Sequence, residues 1–303
     1  MNLYQVLEKF PGQNSCIRHL EDLRWDGVPT CPHCNGYRVR RRSETAIGRI
    51  GRFNCRSCNV SFKVTHGTLF HGTKIGLRKW FSAICLVLNA KKGISSHQLS
   101  RDLDLNQKTA WYILVRIRTE MMRKSDITLS GVVEADEVYI GGKPRKRNKF
   151  KEGNIKPTKR GRGTSKTPVI GAVERNSGLV VAQVAESLTG QDILDFIKSA
   201  VDIEDSELIT DEFQGYNLVG REIKRSIINH RERYVDETGH VHTNTIEGFW
   251  SLVKRAWYGT HHHYSKPAIS LYIAEACYKY NHRDQEDVFW KFLEDAMCVE
   301  ELN

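Results

Sequence analysis

Three acidic residues stand where a folding chain rarely leaves them without a use. Asp136 falls inside the apolar run "GVVEADEVYI" (131–140), Asp211 ends the strand-like "ELITDEF" (207–213), and Glu247 sits in the first turn of "NTIEGFWSLVKR" (244–255). An unpaired carboxylate in a sheet interior is expensive, so acids at such positions imply a cation. Two Mg²⁺ or Mn²⁺ ions, about 3.5–4 Å apart, would activate a water or a 3′-hydroxyl and stabilise the leaving oxygen of an in-line displacement at phosphorus. Glu134 and Glu137 compete with Asp136 for its role. In a regular strand Glu134 shares the face of Asp136, whereas Glu137 points away. Glu247 has a plainer reading too: with Asn244 three residues earlier it fits a capping box and would only start a helix.

Along that helix Ile246, Trp250, Val253 and Trp257 recur at helical spacing as a stripe to be buried, and Glu247, Ser251, Lys254 and Tyr258 form a neighbouring face. Lys254 and Arg255 follow the acid by two turns, where they would grip a phosphate backbone close to bound metal.

A second group of residues reads as a different metal centre. "CPHC" and "CRSC" present Cys31, Cys34, Cys55 and Cys58 as two Cys-x-x-Cys pairs, with twenty residues between them. Two knuckles at this separation suit a tetrahedral structural Zn²⁺, each tight turn supplying two thiolates. The segment between them reads as strands joined by a turn, the layout of a zinc ribbon, and His33 as a bystander. Cys16, Cys85, Cys277 and Cys298 stand alone, a pattern that favours metal over disulfides.

The remaining signals concern nucleic acid. Between Lys143 and Lys166 the chain holds eleven Lys or Arg and one acidic residue, 11 − 1 = +10, which equals the formal net charge of the whole chain. So basic a stretch, poor in apolar residues, reads as a loop that straps phosphate, with Lys143, Arg145, Lys146 and Arg147 as backbone contacts. Residues 77–121 read as three helices: one through Trp80, Ile84, Val87 and Leu88 that ends by Gly93, a short one capped by Ser95 or Ser96, and a longer one capped by Asn106. A short helix, a tight turn and a longer helix carrying Gln107, Lys108, Thr109 and Arg116 match a helix-turn-helix, whose last helix reads the major groove of double-stranded DNA. After residue 130 the periodicity changes to short strands, two of them joined at "NSG", alternating with helices; this is an α/β order with a mixed sheet.

"CPHC…CRSC", "FHGTKIGLRKWF", "EADEVYIGGK", "TPVIGAVER", "HTNTIEGFWSLVKR" and "YGTHHHYS" together resemble the motifs of bacterial insertion-sequence transposases that join a zinc ribbon to a DDE domain, the ISXO-two-like (insertion-sequence fifteen-ninety-five) family. The likeness runs over nearly the whole chain. It implies an RNase H-like catalytic fold, metal-dependent cleavage at terminal inverted repeats and strand transfer into target DNA. It carries the two aspartates onto Asp136 and Asp211 and the glutamate onto Glu247, with Asn244 able to support or replace the last. It also implies that His242 touches the scissile phosphate.

The expected architecture is therefore a zinc ribbon with a flanking helix (1–70), a helix-turn-helix (71–125) and an RNase H-like DDE domain (126–303) interrupted by the basic loop 143–167. The expected protein acts as a homodimer or higher oligomer on DNA. It has no membrane partner, since no apolar run of about 18 residues is present and the N-terminus lacks the order of a signal peptide, and a cytoplasmic, nucleoid-associated location follows. The competing readings are a DNA-binding regulator, which needs only the first 125 residues, and a domesticated transposase that binds without cutting.

Overall fold

The structure, a computed structural model, describes residues 1–42, 51–123, 127–141, 166–228 and 240–298. The chain forms two compact units, Met1–Glu120 together with Asp284–Asn303, and Met121–Arg283.

In the first unit α1 (Leu3–Lys9) and α2 (Gln13–Trp25) precede a small antiparallel sheet of β1 (Val39–Arg41), β2 (Arg52–Cys55) and β3 (Ser61–Lys63). The sheet alternates: Phe53 and Phe62 point inward against Trp25, whose ring lies 4.8 Å from that of Phe53. Three helices follow, α3 (Leu77–Asn89), α4 (Ser96–Asp102) and α5 (Gln107–Arg123). The side chain of Ser95 accepts from the N–H of Gln98, and that of Asn106 accepts from the N–H of Thr109 at 2.7 Å, so both start signals act as the sequence suggests.

In the second unit β4 (Leu129–Ile140), β5 (Thr167–Glu174), β6 (Val180–Val184), α6 (Gly190–Ala200), β7 (Val201–Thr210) and β8 (Lys224–Ile227) build a sheet of order β6-β5-β4-β7-β8. The pairs β6/β5 and β5/β4 are antiparallel, while β4/β7 and β7/β8 are parallel. Side-chain alternation then sorts the strand residues onto two faces. Leu129, Val133, Ala135, Ile170 and Ala172 pack with Ile193, Phe196 and Ile197 of α6. Val138, Ile140, Val169 and Val173 pack with α7 (Asn244–Arg255) and α8 (Ile269–Asn281). Glu134 and Asp136 share the parity of Val138, so they face α7.

The last helix, α9 (Val288–Met297), clusters with the first unit, although the expected third part runs to residue 303. Its Phe289 approaches Phe81 with ring centroids 6.3 Å apart, and Trp290 approaches Phe10 at 6.0 Å. Burying this apolar face of α9 is favourable wherever a complementary surface exists. Among the described residues no helix is long and apolar enough to cross a membrane.

Candidate functional site

Asp136 comes from the middle of β4, Asp211 directly follows the last residue of β7, and Glu247 stands in the first turn of α7. Because β4 and β7 are parallel neighbours and α7 packs on β4 and β5, the three acids line the same cleft. The cleft, of about 510 Å³, is lined as well by Trp250, Ser251, Lys254, Arg255 and Tyr258. The buried stripe and the open face expected of α7 are both realised: Ile246, Trp250, Val253 and Trp257 are buried, and the other face looks into the cleft.

Burial and the neighbouring negative charges of Glu137, Asp211 and Glu247 push the Asp136 carboxyl up to about 7. Three acids held together with that penalty are chemically suited to a divalent cation, which would remove the mutual repulsion. Two further contacts stiffen the cleft. The Phe213 N–H donates to Asp211 Oδ1 at 2.9 Å. Arg225 of β8 donates to the Asp211 carbonyl at 3.0 Å and to Thr210 Oγ1 at 2.8 Å, which pins the end of β7.

The start of α7 departs from the capping-box reading. Thr243, not Asn244, is the N-cap, and no side chain of the usual capping position bonds the helix N–H groups. Their partner is Glu134, which accepts from the N–H groups of Thr245 at 2.9 Å and Ile246 at 3.0 Å. The Glu247 carboxylate accepts from the hydroxyl of Thr243, the N-cap residue, at 3.2 Å. Asn244 is exposed and does not line the cleft. His242 Nδ1 lies 3.2 Å from Glu134. A carboxylate reaching from another chain segment leaves no trace in the local spacing around residue 244.

One other close approach brings α7 to the acids. Gly171 of β5 pairs in register with Asp136, and a Cβ there would lie 2.8 Å from the Trp250 ring. The missing side chain lets the indole rest on the sheet beside the strand that carries Asp136.

The four knuckle cysteines also converge. Cys31 and Cys58 sulfurs are 3.6 Å apart, as are those of Cys34 and Cys55, and all four lie within 4.8 Å of one another. A tetrahedron with Zn–S bonds of about 2.3 Å needs S···S separations near 3.8 Å, so the set fits Zn²⁺. Backbone N–H groups of Cys58 and Ser57 draw the Cys55 thiol down to about 6, while Cys34 and Cys58, which share hydrogen bonds with their neighbouring thiols, are raised. His33 stays outside this quartet, with its ring 4.5 Å from that of His66.

The residues expected to meet DNA are distributed unevenly. Lys108 is exposed on α5, whereas Gln107 donates to Ser96 Oγ at 2.8 Å and the Arg116 guanidinium donates to the carbonyls of His71 and Thr68 and to the Tyr112 hydroxyl. Thr109 is half-buried. Trp111 and Tyr112, 52% and 39% exposed, join them on α5; their only mark in the sequence is position, since both lie off the buried stripe of Ala110, Ile113, Leu114 and Ile117. Lys143, Arg145, Lys146 and Arg147 lie outside the described residues.

Against known proteins, residues 128–281 match the family model described as the ISXO2-like transposase domain, and residues 11–61 match the transposase zinc-ribbon domain. A protein of Halobacterium salinarum described as an uncharacterized protein in transposable element ISH50 is 28% identical over 278 residues, which cover 88% of this chain and 90% of that one. The crystal structure of the catalytic core domain of BIV integrase aligns over 52% of this chain and 86% of its own, at 18% identity and a TM-score of 0.29. With its domain match spanning half the sequence and its zinc-ribbon match preceding it, the chain belongs to the family of ISXO2-like transposases.

Proposed function

We propose that this protein is a DNA transposase that binds the terminal inverted repeats of an insertion sequence, cleaves at them and joins the ends to target DNA. The observation that carries the reading is the meeting of Asp136, Asp211 and Glu247 in one cleft edged by Lys254 and Arg255, within a transposase-family domain. Divalent Mg²⁺ or Mn²⁺, when bound there, would supply the charge needed to activate a hydroxyl nucleophile and stabilise the leaving oxygen. The three acids would hold that charge. Lys254 and Arg255, exposed on successive positions of α7, would orient the phosphate backbone over it.

The strand order, with two antiparallel pairs followed by two parallel ones, supports an RNase H-like fold for this domain. The arrangement of α3, α4 and α5 supports a helix-turn-helix for residues 71–125, with Lys108 and the exposed Trp111 and Tyr112 on its outward face. The cysteine quartet supports a structural Zn²⁺ in residues 1–70. On this reading Asn244, exposed and outside the cleft, is not the third ligand.

Alanine at Asp136, Asp211 or Glu247 is expected to abolish Mg²⁺-dependent nicking of a duplex carrying the element's end. Binding of that duplex, measured by gel shift, should change less than about twofold because recognition and chemistry use different residues. Elemental analysis of the same preparation should find one zinc per chain. Undiminished nicking by all three variants would eliminate the assignment of the cleft, and a loss confined to Asn244→Ala would move the third ligand to Asn244.

A further inference from the structure

Glu134 is fully buried, two residues before Asp136 on the same face of β4. Its Oε2 accepts the N–H groups of Thr245 and Ile246; its Oε1 accepts from the Thr245 hydroxyl at 2.9 Å and from Arg175 Nε at 3.0 Å. Arg175 Nη2 lies 2.9 Å from the same carboxylate, and the guanidinium also donates to the carbonyls of His240 at 2.7 Å and His242 at 2.9 Å. An acid so enclosed has its acceptor capacity taken by donors that do not leave, which is unlike a metal ligand waiting for an ion.

The anion therefore stands at the N-terminus of α7, where the helix dipole and the unpaired N–H groups favour a negative charge. It belongs to the strand that carries Asp136. Arg175 adds a second tie, from the end of β5 to the segment entering α7, and its charge balances that of Glu134. This balance keeps the anchor from adding a fourth net negative charge beside the three acids.

We propose that Glu134 and Arg175 form a positioning pair: they bolt the first turn of α7 to β4 and so fix the distance between Asp136 and Glu247, without either residue touching metal or DNA. The inference rests on the reading of the cleft as the catalytic centre. It assigns Glu134 a role different from ligation, and it gives a role to Arg175, the last residue of "TPVIGAVER".

The test uses the full-length protein with its zinc retained, and titrates Mn²⁺ while following loss of the free-ion paramagnetic signal. Variants are Glu134→Gln, Arg175→Met, their double, and Asp136→Asn as a control for the cleft. Both single variants are expected to weaken Mn²⁺ binding about tenfold, the scale typical of groups that orient ligands. The double should be no weaker than the poorer single. In end-DNA cleavage, kcat should fall while KM for DNA holds. Simple removal of charge predicts opposite signs, with Arg175→Met binding Mn²⁺ more tightly, and that outcome overturns the proposal. So does a lowered unfolding temperature with unchanged Mn²⁺ affinity, which would make the pair merely structural. Loss of binding in Glu134→Gln as complete as in Asp136→Asn would make Glu134 a ligand and overturn it as well. Mn²⁺ binding indifferent to Asp136→Asn would instead fail the reading of the cleft. Should Glu134→Gln not fold, Arg175→Lys, which keeps the charge and loses the fork, carries the same expectation of weakened binding and is overturned by wild-type affinity.

Discussion

Asp136 meets opposing demands. Burial and its acidic neighbours favour the protonated carboxyl, and metal binding needs the carboxylate. Its folded-state pKa of about 7 lies above the ordinary 3.8. For a group raised on folding, the folded protein holds the proton more tightly, so the associated stability is present below about pH 4 and is lost as pH rises through about 7. A displacement of that size corresponds to about 4 kcal/mol, and a smaller effect is expected because Asp136 is only half-buried and keeps a surface open to the cleft. Asp136→Asn removes the titration, so without added divalent cation the variant should gain in unfolding temperature over wild type as pH goes from about 5 to about 8. Mn²⁺ at the higher pH should raise the wild type alone. A variant-minus-wild-type difference that stays flat across this range would contradict the electrostatic account. The sequence announced Asp136 as an acid in an apolar strand. It did not announce the company of Arg225, whose bonds to Thr210 and Asp211 depend on the pairing of β7 with β8.

Helix α7 shows which parts of an element are legible in a sequence. The 3.6-residue spacing of Ile246, Trp250, Val253 and Trp257 identified its buried side, and the cleft face followed by elimination. Its cap was hidden because Glu134 lies 111 residues away along the chain. The first half of β7 was hidden for another reason: "VDIEDSE" is acidic, alternates over only four residues and follows α6 with no turn residue between, so no breaker marks its start. The contact of α7 with the sheet yields a prediction. Gly171→Ala would drive a methyl into the Trp250 ring, 2.8 Å from its nearest atoms, and toward Ala182 at 3.2 Å. Overpacking of this kind costs about 1–3 kcal/mol. The helix must lift, and Glu247 moves with it relative to Asp136. A displacement near 1 Å is enough to cost about 10–100-fold in rate. Circular dichroism should show the helices retained while end cleavage falls by that factor, and Trp250→Phe added to Gly171→Ala should recover part of it. Wild-type stability and cleavage in Gly171→Ala would refute the close-approach argument.

For the whole molecule, the formal charge of +10 equals that of the segment Lys143–Lys166, so acids and bases elsewhere balance. The long-range attraction to DNA is then concentrated in one stretch of chain, separate in sequence from both α5 and α7. Each phosphate that a cation neutralises contributes about −0.9 to the slope of log affinity against log salt. If about half of the eleven Lys and Arg residues engage backbone, replacing them all with Gln should make the slope shallower by about 4–5. Phosphate contacts position a protein without reading bases, so affinity for an end sequence and for a scrambled duplex should fall by similar factors. Discrimination between the two should persist, because the proposed function assigns base reading to α5 instead. Affinities for both duplexes at several salt concentrations test the two parts separately. A slope that does not change would show that the segment stays clear of the phosphates. A loss selective for the end sequence would assign it base or groove-shape recognition, and would move part of the specificity away from α5.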